Sequence, residues 1–398
     1  MNVTYNYPDL NFWVLNKHTN IEFNMAWPIS DIPEKKSLPA PTYWLWIILL
    51  LLMLALGSVF SVELFNAKTY AKIFFYGILP SLFFWLCLFG AMLNRYEQSV
   101  VASQMWKLET ERTKAEWRDW SRRQIAVVGN VLFSPEENGM GALLGELDKV
   151  PAYPKKARPL FPSSHSFPVL MKEVDWKLEL QYPGYRHFLH SIYVFQAPGS
   201  FDEYRSEAVY QQWDLIPTAT DTTEIFTSFY DAKISDGLIL ILCLQDWSSS
   251  NVGQSSEFIS AQLIASPNFA RQHSLPVIAG ISRMMPLEAG QLFNELDMLF
   301  EYIQPDKQFL EYVWLLGAAE KTSVEIMQYA NRYKWPLPEK RPLHSVDLSF
   351  GPPGAMALLL SLAMLVEAAN ITGKDQLLVN HTSQQTGTLC LIARELYA

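Results

Sequence analysis

Two runs of about twenty residues without a single charge constrain this chain more than anything else in it. Residues 43–62 read YWLWIILLLLMLALGSVFSV, and residues 73–93 read IFFYGILPSLFFWLCLFGAML. As helices rising ~1.5 Å per residue, each is long enough for the ~30 Å hydrocarbon core of a bilayer. Tyr43, Trp44 and Trp46 stand at the entry of the first run, where amphipathic rings prefer the headgroup level. A buried hairpin of a soluble protein is the bland alternative, and the runs are too long for it. A cleavable signal peptide does not fit, because the first run starts deep in the chain and a second follows closely. Neither run carries Asp, Glu, Lys or Arg, so the pair reads as an anchor rather than a transport path. Pro80 is placed to kink the second run.

Flanking cations set orientation. Lys35 and Lys36 precede the first run, and Lys68 and Lys72 lie between the two. Arg95, Lys107, Arg112, Lys114, Arg118, Arg122 and Arg123 follow the second. The downstream side is the most basic, which predicts that the tail (1–42) and everything after the hairpin (43–93) are cytoplasmic. Residues 95–125 lack Pro, and Glu109–Arg112, Asp119–Arg122 and Asp119–Arg123 have helical pair spacing. They predict a juxtamembrane helix, either a solvated stalk or an amphipathic face carrying Trp106, Trp117 and Trp120. Pro151, Pro154, Pro159, Pro162 and Pro168 then mark residues 126–170 as a linker.

Composition narrows the function. Only 18% of the 398 residues are charged and the net charge is −9, so there is no basic surface for nucleic acid. The three cysteines, Cys87, Cys243 and Cys390, exclude a disulfide scaffold and a multi-cysteine zinc site. No phosphate-binding glycine loop is present, and no cofactor is expected.

The body, 171–398, alternates strand-like and helix-like runs and predicts a layered α/β fold. Strands are expected at 237–244, 257–264, 276–281, 309–316, 376–380 and 387–394. Helices are expected at 287–303 and 322–333, and 355–369 is apolar all round and reads as a buried helix.

Four stretches carry a resemblance to a known family. Residues 257–283, 309–322 (FLEYVWLLGAAEKT), 351–362 (GPPGAMALLLSL) and the closing GTLCLIAR resemble strands and glycine turns of the thiolase-like, or ketoacyl-synthase-like, fold. The fold class expected is therefore a two-span hairpin, a juxtamembrane helix and a thiolase-like body. Such enzymes use a nucleophilic cysteine on a strand-to-helix turn and two histidines that polarise a carbonyl. Here the histidine positions fall on Leu316 and Pro352, and no cysteine lies between Cys87 and Cys243. Cys243 and Cys390 sit in apolar runs, where thiols are inert. The expectation is a protein that is not an enzyme.

The two-span architecture with such a body resembles adaptor proteins of bacterial type VI secretion lipase effectors. That resemblance implies an inner-membrane adaptor or chaperone that binds a secreted effector and components of the secretion system. The fold family also implies a homodimer as one oligomeric option. An immunity protein against a membrane-acting toxin and a thiolase-like acyl-transfer enzyme are the rivals. The candidate partner surface is aromatic: Tyr182, Tyr185, Phe201, Tyr204, Tyr210 and Trp213. His187 and His190 have helical i, i+3 spacing but lack a third metal ligand. Residues 253–257 (GQSSE) imitate a nucleophile elbow whose last glycine is replaced by Glu257.

Overall fold

A computed structural model describes residues 27–397, apart from 66–67, 162–165, 198–201, 221–225, 227–228, 231–236, 248–253, 289, 318–319, 353 and 382–385. The chain divides into two units, Ser30–Glu116 and the remainder.

In the first unit the charge-free runs are helices, α1 (Tyr43–Phe65) and α2 (Tyr70–Ser121). Both are long and apolar enough to cross a membrane, and only 6% of either apolar window is buried. That low burial among the described residues speaks against the buried-hairpin alternative. Small residues let the helices approach closely. A Cβ on Gly77 would sit 2.5 Å from the carbonyl oxygen of Gly57, and Ser61 and Ser81 occupy the next turn of each helix. This is the small-xxx-small pattern by which apolar helices pack in lipid. Further along, Trp85 Nε1 donates to the carbonyl of Trp46 at 2.9 Å. Pro80 is accommodated by a π-helical turn at Phe74–Ile78, directly before it. The wider turn relieves the clash that a proline ring makes with the preceding helical carbonyls. Residues before α1 lie extended along α2: Trp106 Nε1 donates to the Pro33 carbonyl at 2.9 Å and Ser103 Oγ to that of Lys35 at 2.8 Å.

The second unit is built on one sheet of eleven strands. They are β1 (Gln124–Phe133), β2 (Leu189–Gln196), β3 (Thr218–Thr220), β4 (Leu238–Gln245), β5 (Phe258–Ala265), β6 (Ala279–Ser282), β7 (Met285–Glu288), β8 (Leu310–Leu316), β9 (Leu343–Ser345), β10 (Asp375–His381) and β11 (Thr386–Ala393). Their order is β3-β2-β4-β5-β1-β6-β11-β10-β8-β9, with β7 also on β11. The order is a duplication. With β7 left aside and each half counted from its own first strand, each runs third, second, fourth, fifth, first from its outer edge inward, and the two halves meet at the antiparallel β1–β6 pair. In each half the fifth strand alone is antiparallel to its neighbours: β5 against β4 and β1, and β11 against β10 and β6. β7 pairs β11 antiparallel, and the remaining pairs, β2–β3, β2–β4, β8–β9 and β8–β10, are parallel.

β1 shows why the sheet is central. Its side chains alternate between faces, with Ile125 and Val127 in one core cluster and Ala126 and Val128 in another. The first cluster is filled by α10 (Ala357–Thr372), whose Leu359, Leu360, Leu362 and Leu365 are buried. Each such leucine contributes roughly 1.5–3 kcal/mol of burial. The second cluster is closed by α4 (Phe167–Gln181) and α5 (Glu203–Trp213), the third by α7 (Leu292–Tyr302) and α8 (Glu320–Arg332). The remaining helices are α3 (Met140–Leu144), α6 (Pro267–Gln272) and α9 (Val346–Phe350).

Two expectations need correction. Residues 126–170 are not a linker: they contain most of β1, all of α3 and the start of α4. Pro168 falls in the first turn of α4, where a missing N–H costs nothing, so it starts a helix rather than marking a loop. The helix expected at 287–303 begins only at Leu292, because Met285–Glu288 pairs with β11.

α10 carries one acid, Glu367. Its carboxylate lies against Gly139, and burial raises its pKa to about 7, against the backbone hydrogen bond from Met140 and the charge of Lys177. The folded pKa lies above the unfolded value of ~4.3, so its stability contribution is full below that value and is lost as pH rises through 7. Glu367→Gln is therefore expected to stabilise the fold by about 2 kcal/mol at pH 8 and to change little at pH 4. Denaturant unfolding of the detergent-solubilised protein at both pH values checks this.

Candidate functional site

Parallel strands present their carboxyl ends together, and ligands of open α/β sheets bind in the crevice outside those ends. In the second half β9, β8 and β10 are parallel neighbours. Their ends bring together Ser345, Leu316 and Asn380, and the chain turns away there through Asp347, Gly317 and His381. The two glycine turns noted in the sequence, at Gly317 and Gly351, thus belong to one place.

Asp347 joins them. Its Oδ2 accepts the Gly317 N–H at 2.5 Å, and its backbone carbonyl accepts the Gly351 N–H at 3.0 Å. Burial raises the Asp347 carboxyl to about pH 6, partly offset by the Gly317 hydrogen bond. Its Oδ1 is buried with no hydrogen-bond partner among the described residues, as are Ser349 Oγ and His344 Nδ1 on the same segment. His344 stacks on Trp314 with ring centroids 4.5 Å apart, and burial, then Arg341, lowers its pKa to about 4.

Beside the Gly317 turn stands a second pair. Thr322, buried in the first turn of α8, places Oγ1 3.0 Å from His381 Nε2. Burial lowers the His381 pKa against an upward pull from Glu325, so the ring is neutral at pH 7. A hydroxyl within hydrogen-bond reach of a neutral imidazole is the arrangement of a nucleophile with its base.

Gly317 holds this pair together through its backbone. It has φ of +63°, and a Cβ there would sit 2.4 Å from the carbonyl oxygen of His381. Gly373 has φ of +64° with nothing within 4 Å of its would-be Cβ. Gly317→Ala is therefore expected to destabilise by at least about 2 kcal/mol, and Gly373→Ala by about 1 kcal/mol, the left-handed strain alone. Parallel unfolding curves of the two variants separate clash from strain.

The residues singled out in the sequence scatter elsewhere. Cys243 and Cys390 are buried: burial pushes the Cys243 thiol far above its ordinary range and that of Cys390 up to about 12. Cys390 Sγ donates to the Ser282 carbonyl at 3.4 Å. Neither thiol is a ready nucleophile. Among the partner-surface candidates, Tyr185 and Trp213 are core residues: Trp213 Nε1 donates to Tyr185 Oη at 2.6 Å, and that hydroxyl donates to Asp175. Their polar tips are satisfied inside the protein, so they offer no surface. Tyr182 is half-buried against Phe188, Tyr204 and Tyr210 are exposed on α5, and Phe201 lies outside the described residues. His187 falls in a 3-10 turn and His190 in β2, so they do not share a helix face. No group of three or more metal-ligating side chains occurs among the described residues. In the GQSSE stretch, Ser256 is buried and donates to the Phe350 carbonyl, and Gly253 is outside the described residues.

Asp347, Thr322 and His381 were missed by the sequence reading. Thr322 and His381 are 59 residues apart and meet only because β10 lies beside β8. The glycines at 317 and 351 were the signal that turns of special geometry meet here.

No protein-family model matches the chain, and no curated protein matches it. Solved structures do. One is a chain of the AntDE:AntF complex, described as a type II PKS acyl-carrier protein in complex with its ketosynthase bound to the hexaketide. At 7% identity it covers 69% of this chain and 100% of that chain, with a TM-score of 0.52. An oxazolomycin ketosynthase domain from Streptomyces albus is 10% identical over 69% of this chain and 96% of its own, TM-score 0.46. The 3-oxoacyl-(acyl carrier protein) synthase III from Xanthomonas oryzae is 8% identical over 68% and 99%, TM-score 0.44. The first likeness, with the duplicated strand order, establishes the thiolase-like fold. It also corrects the expectation that the chain is not an enzyme. That expectation rested on unmatched cysteine and histidine positions, whereas the shared fold is one on which a ketosynthase works.

Proposed function

We propose that this chain is a membrane-anchored acyl-transfer enzyme that works through a threonine hydroxyl rather than a cysteine thiol. The observation that carries the reading is the Thr322–His381 pair at the carboxyl ends of the parallel strands. The acyl substrate is taken by analogy from the fold and the chemistry from the site. In the step proposed, Oγ1 of Thr322 attacks the carbonyl of an acyl thioester as His381 Nε2 takes its proton. The C–S bond breaks, and the leaving thiolate takes the proton back from the imidazolium. The product is a threonine ester, and transfer to a second acceptor regenerates the hydroxyl. In this reading the α1–α2 hairpin is the anchor, and the excess of basic residues after it supports a bacterial inner-membrane protein with both ends in the cytoplasm.

The test is intact-mass measurement of the full chain in detergent after incubation with octanoyl-coenzyme A. The expected result is one octanoyl adduct that maps to Thr322. Neither adduct nor thiol release, with short or long acyl chains, would sink the reading.

A second reading has its own support. Trp176 and Leu180 on α4 are exposed, as are Tyr204 and Tyr210 on α5, the helix it packs against. Exposed aromatics of this kind suit a protein partner, the surface an adaptor for a secreted effector needs. Co-purification of the wild type with one stoichiometric protein, lost in a Trp176→Glu, Tyr204→Glu double variant, would favour it. Unchanged recovery of that protein would remove it.

A further inference from the structure

Asp347 is the group whose contacts reach furthest into the site. Among the described contacts its side chain reaches neither Thr322 nor His381, yet it holds Gly317, which lies beside the His381 carbonyl. The Gly317 N–H it accepts belongs to the residue that follows β8, three residues before the start of α8. The same Gly317 is pressed against the carbonyl of His381. The backbone carbonyl of Asp347 holds the other glycine turn through Gly351. Gly351 in turn is backed by the Lys156 carbonyl, which a Cβ there would meet at 2.5 Å. Asp347 itself is set by the N-terminal turn of α9, where Ser345 Oγ accepts the Leu348 N–H at 3.2 Å.

We infer that Asp347 is a positioning residue of this site: its carboxylate clamps the Gly317 turn against His381 and thereby holds Thr322 Oγ1 in line with His381 Nε2. The inference rests on the acyl-transfer reading for its consequence but not for its geometry. A neutral amide at this position can still accept the Gly317 N–H through its oxygen, whereas a methyl group cannot. Gly317 is exposed, so water can replace the acceptor, and what is lost is a short hydrogen bond to a carboxylate, stronger than one to a neutral group, that fixes this residue in place.

The experiment compares the full chain with Asp347→Ala and Asp347→Asn. Three quantities are read: hydrogen exchange of the peptide containing Gly317, the NMR titration of His381, and the rate of octanoyl transfer to Thr322. Asp347→Ala is expected to speed exchange at Gly317 at least tenfold and to move the His381 titration upward, towards an ordinary imidazole, as the site hydrates. It is expected to slow acylation at least tenfold while the acyl-coenzyme A concentration for half-maximal rate changes less than twofold. Asp347→Asn is expected to keep most of the exchange protection and most of the rate. The inference is overturned if Asp347→Ala leaves Gly317 exchange and the His381 titration unchanged. It is also overturned if both variants lose protection throughout the sheet, because the role is then general stability. If the wild type is not acylated, the acyl-transfer reading fails, and exchange and titration still decide the clamp.

Discussion

Replacing His381 by alanine is expected to slow transfer of an acyl group to Thr322 by about 10²–10⁴-fold, the range over which a positioned base contributes. The reason is the 3.0 Å separation of Oγ1 and Nε2. Without the imidazole nothing at that position takes the hydroxyl proton, and an aliphatic hydroxyl at neutral pH is a poor nucleophile. Thr322→Val, which keeps the shape and removes the oxygen, should abolish the adduct altogether. The wild-type rate should fall as pH drops below the depressed His381 pKa, since a protonated ring cannot accept the proton; the histidine loses its function as acid rises, not as base rises. Quench-flow of thiol release, with intact mass on the same samples, measures all three. Full activity in Thr322→Val would move the chemistry elsewhere, and full activity in His381→Ala would deny the ring its role as base.

The second large effect concerns the anchor. Gly77→Leu is expected to part α1 from α2. The obstacle is backbone on both sides: a Cβ on Gly77 meets the Gly57 carbonyl at 2.5 Å, and one on Gly57 meets the Gly77 carbonyl at 2.7 Å. On the Gly77 side the nearest atoms are the Gly57 backbone, which cannot give way as a flexible side chain would; on the Gly57 side Ser81 Oγ is also in the way. In lipid this loss is not offset by a hydrophobic drive, since the tails are as apolar as the helices, so close packing is what holds the pair. Cysteines replacing Trp46 and Trp85, with Cys87→Ser removing the exposed native thiol, report the pairing by oxidative cross-linking. The yield is expected to drop on the order of tenfold in Gly77→Leu, a little over 1 kcal/mol of pairing energy. An unchanged yield would mean that the connecting turn, with its π-helical stretch at Phe74–Ile78, sets the hairpin by itself.

The sequence alone determined the features that depend on near neighbours. Absence of charge over 43–62 and 73–93 dictated two long apolar helices, because a helix satisfies its own backbone and an uncharged surface has no reason to meet water. Continuous apolar runs gave β4, β5, β8, β10 and β11, and the all-round apolar stretch at 355–369 gave α10, since those segments lie between layers. β1 carried the same signal in Ile125, Val127, Val128 and Val131, but the prolines that follow pointed to a linker. What a proline means depends on where the helix begins, and Pro168 begins one. Tertiary structure decided the rest. Sheet order joins strands far apart in the chain, so only the fold could place His381 against Thr322 and Asp347 against Gly317. It also decided which aromatics face water: Tyr185 and Trp213 satisfy each other inside the core while Tyr204 and Tyr210 do not enter it. An aromatic ring has the same composition in either setting, and only its neighbours in space distinguish a packing residue from a contact surface.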